Sequence, residues 1–141
     1  MKRNFLKTNE KVQIIRIIFD YPAKSFENLF FNCNLIETIN FKKFFRKNIN
    51  NMRCMFFGCN SLKDINLSNF NTDNVTNMES MFQGCCSLKE LNLSKFNTNK
   101  VNNMAYMFEG CESLKELNLT NFITNNVIYM SHMFNNCSKI K

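Results

Sequence analysis

Histidine occurs once in this chain, glycine three times and tryptophan not at all. A zinc site built on imidazoles has no material here, and the seven cysteines form no C-x-x-C pair that would replace it. Acid-base or nucleophilic catalysis needs a base held by a partner, and none can be named for the lone His132. The glycines, Gly58, Gly84 and Gly110, stand 26 residues apart and cannot form a phosphate-cradling loop. No catalytic residue, cofactor or metal is expected.

Long apolar runs are also lacking, and none approaches the roughly 18 to 20 residues of a membrane-spanning helix. The most apolar stretch, residues 12–19, is interrupted by Gln13 and Arg16. It reads as a strand over about residues 11–19 and not as the core of a signal peptide. Acidic residues are the minority charge, 11 against 18 basic, for a formal net charge of +7. The excess sits in the first 50 residues, while the rest of the chain is nearly neutral. Lys42, Lys43, Arg46 and Lys47 gather the basic charge and are the alternative site, for nucleic acid or another anionic surface. No aromatic-basic motif accompanies them, which makes nucleic acid the weaker reading.

What the chain has is repetition. Met55, Met81, Met107 and Met133 are 26 residues apart, and each is followed by phenylalanine. Cys33, Cys59, Cys85, Cys111 and Cys137 keep the same step, as do Phe44, Phe70, Phe96 and Phe122. One unit reads MFQGCCSLKELNLSKFNTNKVNNMAY, residues 81–106. Within it Leu88, Leu91 and Leu93 have the spacing of a leucine-rich-repeat strand. Alternation then turns Ile65 and Leu67, Leu91 and Leu93, and Leu117 and Leu119 inward. Asp64, Asn66 and Ser68, then Glu90, Asn92 and Ser94, then Glu116, Asn118 and Thr120 face outward in stacked columns. These nine are the candidate partner-binding residues, where an unknown protein partner is expected to dock on a repeat face.

In the second half of each unit the period changes. Val75, Met78, Met81, Phe82 and Cys85 recur every three or four residues, which predicts a short helix. Thr72, Thr98 and Thr124 are placed to cap such helices, and Gly58, Gly84 and Gly110 to end them in a left-handed conformation. Phe70 and Phe96 suit the corner between strand and helix. The cysteine column reads as small buried hydrophobes, whereas Cys54 and Cys86, outside it, fall at variable positions expected to be exposed. His132 shares a column with Cys54, Ser80 and Tyr106, which marks it as a variable residue on a helix surface.

The pattern M-F-x-G-C-x-S-L-K-x-L-N-L-S-x-F-x-T-x-x-V-x-x-M resembles the 26-residue surface-protein repeat of the BspA-like leucine-rich repeats, the type also seen in mycoplasma lipoproteins. The likeness covers residues 26–141; the first copy departs from it with Asn32 for glycine and Phe41 for leucine. It implies an α/β repeat fold, a right-handed leucine-rich-repeat solenoid with one short parallel strand and one short helix per rung, and, in exported members, adhesion or host-protein binding at the cell surface. The expected organisation is a capping strand and loop over residues 1–25 and about four and a half rungs over residues 26–141. The last stripe, Met130, Met133, Phe134 and Cys137, has no following rung in the sequence, so either the gene product is longer or this end self-associates.

Overall fold

The computed structural model describes residues 23–41 and 47–140. Four short strands follow one another along the chain: β1 (Thr38–Asn40), β2 (Asp64–Asn66), β3 (Glu90–Leu91) and β4 (Glu116–Leu117). β1 pairs with β2 in parallel, Thr38 opposite Asp64 and Asn40 opposite Asn66, and β3 pairs with β4, Glu90 opposite Glu116. The register equals the sequence repeat, so equivalent residues lie side by side. A second ladder of parallel bridges links Ser25, Asn51, Asn77, Asn103 and Tyr129. The expected strands are thus present. The capping strand over residues 11–19 lies outside the described residues.

The expected helices are not there. Among the described residues no helix occurs, and the segment that carries the helical spacing is a succession of tight turns. In residues 52–59 the N–H groups of Met55, Phe57 and Cys59 bond back three residues, to the carbonyls of Met52, Cys54 and Phe56. Those of Cys54, Phe56 and Gly58 leave the rung and bond the carbonyls of Glu79, Met81 and Gln83 in the next one. The pattern repeats from Ser80, Phe82 and Gly84 to Ala105, Met107 and Glu109. A helix needs every N–H to reach back four residues within the segment, and here half of them point sideways. Cys54 and Gly58, at φ of 52° and 68°, each occupy the third position of a four-residue turn, where a left-handed residue reverses the chain. The glycines are left-handed as expected, but they bend turns and do not end helices.

Thr72 and Thr98 do not cap helices either. Both are buried, and each joins two rungs: Thr72 Oγ1 donates to the carbonyl of Asn97 at 3.0 Å and accepts its N–H at 2.7 Å. Thr98 does the same with Ile123. Thr124 is exposed.

The core fills the space inside the rungs. Ile65, Leu67, Leu91 and Leu93 point inward, and Phe70 and Phe96 fill the corners. Phe30, Phe56, Phe82, Phe108 and Phe134 form a continuous stack with centroids 5.4 to 5.9 Å apart. Each fully buried ring contributes about 1.5 to 3 kcal/mol from burial, and each contact with a neighbouring ring about 0.5 to 1.5 kcal/mol more. A rung alone would leave both faces of its ring in water, so stability comes from stacking rung on rung. Met130 and Phe134 are 42% and 45% exposed where Met104 and Phe108 are fully buried, while Met133 remains buried and Cys137 half-buried.

Candidate interaction surface

Asp64 and Asn66 flank the inward Ile65 on β2, and Glu90 and Glu116 begin β3 and β4. Asn92, Ser94, Asn118, Thr120 and Ser68 follow the strands directly. All nine candidate partner-binding residues are exposed, and the 26-residue register sets Glu90 beside Glu116, whereas Asp64 and Asn66 pair with Thr38 and Asn40 of β1. The asparagines are locally fixed. Asn66 Oδ1 accepts from both the N–H and the hydroxyl of Ser68, Asn92 Oδ1 accepts from the N–H of Ser94, and Asn118 Oδ1 accepts from the N–H and hydroxyl of Thr120. Each asparagine oxygen therefore stabilises the turn after its strand. The same device returns at Asn51, Asn77 and Asn103, whose oxygens accept from Arg53, Glu79 and Ala105. Of the basic cluster, Lys47 is exposed; Lys42, Lys43 and Arg46 lie outside the described residues.

The cysteine column is buried or half-buried, and Cys59, Cys85, Cys111 and Cys137 carry free thiols. The Sγ of Cys59, Cys85, Cys111 and Cys137 donates to the carbonyls of Phe30, Phe56, Phe82 and Phe108, at 3.0 to 3.3 Å. Burial pushes the thiols of Cys59 and Cys111 up to about 12 and that of Cys85 well above its ordinary value. A thiol kept protonated is a poor nucleophile and a poor metal ligand at neutral pH. Among the described residues no three His, Cys, Asp or Glu side chains group as metal ligands would, and no helix is long and apolar enough to cross a membrane.

A second surface was not legible as a site. An open groove of about 480 Å³ runs along the turn segments, between Asn28 and Tyr106. Its floor includes Cys54 and Ser80, both 5% exposed; Cys54 is buried and not on the surface, and Cys86 is half-buried. Arg53 spans the groove wall, donating to Glu27 at 3.2 Å and pairing with Glu79 at 3.4 Å. The Glu27 hydrogen bond is the largest of the influences that hold its guanidinium protonated. His132 lies on no helix surface. It is left-handed and stacks on Tyr106, centroids 5.2 Å apart. The one sequence signal for this groove is that Asn28, Cys54, Ser80, Tyr106 and His132 vary in size along a single column while the columns beside them repeat.

The family model described as a Mycoplasma protein of unknown function, DUF285, matches residues 24–141. The chain belongs to this family. A leucine-rich repeat protein of T. pallidum, known from its crystal structure, is similar in fold at 17% sequence identity, with a TM-score of 0.53. The match covers 82% of this chain and 48% of that one, so the chain spans about half the length of the protein it matches. No curated protein matches the sequence. The likeness to the T. pallidum protein is one of leucine-rich-repeat fold.

Proposed function

We propose that this chain is a non-catalytic protein-binding module, a right-handed leucine-rich-repeat solenoid of the 26-residue surface-protein type, serving adhesion at a cell surface. The observation that carries the reading is the set of three equivalent rows, Asp64, Asn66 and Ser68, then Glu90, Asn92 and Ser94, then Glu116, Asn118 and Thr120. All are exposed and recur at the 26-residue step. A protein surface with acids, amides and hydroxyls at fixed spacing presents hydrogen-bonding groups to an extended partner, the arrangement by which repeat proteins bind along their length. Because each asparagine oxygen is held by the residue two places on, the side chain is oriented before a partner arrives, which lowers the ordering cost of binding.

The test places a photo-crosslinking side chain at Glu90 and Glu116 in one protein, and at Asp73 and Asn99 in another. Capture of one partner from the first pair alone, weakened at least tenfold by Asn66→Ala with Asn92→Ala and Asn118→Ala, is the expected result. Capture unchanged in the triple variant would remove the assignment. Protease shaving of intact cells tests the location: loss of the protein from the cells supports surface display, and full protection counts against it.

A further inference from the structure

The repeating columns explain the fold, and the one that fails to repeat points to a site. Tyr106 stacks one ring face on His132, nearly parallel at 10°. Its other face looks along the stack toward Ser80, the equivalent residue one rung earlier, and beyond it toward Cys54. The N–H groups of Cys54, Ser80 and Tyr106 all bond the following rung in the same register, to Glu79, Ala105 and Ser131, so the three stand in one line. Rungs in such a ladder are about 4.8 Å apart, so two successive small side chains leave a slot nearly two ring thicknesses deep on the tyrosine face. Ser80 and Tyr106 both line the groove, which shows that the slot is open to solvent. Cys54, Ser80 and Tyr106 hold φ of 52°, 54° and 60°, as Asn28 and His132 do at 58° and 56°, so every residue of the column takes the same place in its turn.

The surrounding charge selects the occupant. Arg53 is held by Glu27 and Glu79, and Gln83 donates to Glu109 at 2.6 Å. Within the lining Arg53 and Glu79 pair with each other, and Glu27 and Glu109, each bonded to a lining side chain, add two carboxylates next to it. An aromatic face where nearby carboxylates outnumber the one guanidinium favours a cation, and a flat slot favours a planar one. A phosphate-bearing ligand would meet repulsion.

We infer that this slot binds the guanidinium of an arginine side chain from a protein partner, stacked on Tyr106 above Ser80 and facing the Glu79 carboxylate. The choice of a protein as the source of the arginine rests on the binding function proposed above. The slot and the strand rows are separate columns, so they can be tested apart.

The folded chain is titrated with acetyl-Gly-Arg-Gly-amide, its lysine and citrulline counterparts, and a set of methyl pyranosides, following the amide resonances of Ser80 and Tyr106. The arginine peptide is expected to shift them at least tenfold more strongly than the lysine or citrulline peptide. Ser80→Tyr should abolish the response, because it fills the slot with a ring that the same turn already accommodates at Tyr106. Tyr106→Leu gives an independent loss without filling the slot, and Asn92→Ala should leave the response intact. An equal response to lysine or citrulline, a response in Ser80→Tyr equal to the parent's, or a stronger response to a pyranoside would overturn the assignment. If arginine peptides fail to bind while the strand-row variants still lose their partner, the slot assignment falls alone. If arginine binds and the strand-row variants keep their partner, the strand-row assignment falls instead.

Discussion

Thr72 and Asn97 belong to different rungs, yet one hydroxyl satisfies both the N–H and the carbonyl of Asn97. The hydroxyl is buried, with Thr72 only 1% exposed, so water cannot replace it. Thr72→Val keeps the shape and leaves the N–H and carbonyl of the half-buried Asn97 without this partner, which should lower stability by about 1 to 3 kcal/mol. Thr72→Ser keeps the oxygen and should cost less than the valine change. Urea denaturation of the two variants beside the parent measures the difference; equal losses would mean that the cross-rung bond is not what the threonine contributes.

The cysteine column predicts a fall in stability at alkaline pH. Burial raises Cys59 and Cys111 from the ordinary thiol value of 9.0 to about 12. Above pH 9 the unfolded chain releases thiol protons that the folded chain keeps, so the folded state binds more protons and stability decreases with pH. The contribution is complete below pH 9 and is lost as pH rises toward about 12. Each thiol accounts for up to about 1.4 kcal/mol per pH unit in that window. Serine does not titrate there, so a variant carrying Cys59→Ser and Cys111→Ser should show a flatter dependence of the urea midpoint on pH above 9. Parallel slopes for parent and variant would contradict the assignment.

Gly84 adopts φ of 74°, and a Cβ there would meet its nearest neighbour, the Cα of Gly58, at 3.6 Å, an ordinary contact. The cost of Gly84→Ala is therefore conformational, about 1 to 2 kcal/mol. Asn32 and Asn136 occupy the same column with φ of 55° and 58°, so Gly84→Asn should be milder than Gly84→Ala. Thermal unfolding of both variants checks the order, and a reversed order would show that the space around the glycine matters more than its backbone.

The rungs were legible in the sequence because the 26-residue step places equal side chains in equal environments: methionine, phenylalanine and cysteine columns became buried columns. The strands were legible because Ile65, Leu67, Leu91 and Leu93 alternate with polar neighbours. The helix was not, because Val75, Met78, Met81, Phe82 and Cys85 would have the same spacing in a helix and in a chain that turns every few residues. What distinguishes them is the direction of the N–H groups, and that depends on the next rung. Thr72 misled for the same reason, since a threonine before an apolar stripe looks like a helix cap until its partner, 25 residues away, is known. At the left-handed positions the glycines signalled themselves, while Cys54, Ser80 and Tyr106 carried no such mark. The groove they form was hidden behind the repeats that made the fold readable.

Backbone bonds that cross from one unit to the next hold the rungs together. Scalar coupling through hydrogen bonds detects such contacts one at a time in a folded, isotope-labelled chain. The Gly58 amide should couple to the carbonyl of Gln83 and the Gly84 amide to that of Glu109, their partners at 2.8 Å in both cases. Coupling of Gly84 to the carbonyl of Ser80, four residues earlier, would establish a helix in its place and contradict the stacked-turn architecture on which both proposed binding surfaces depend.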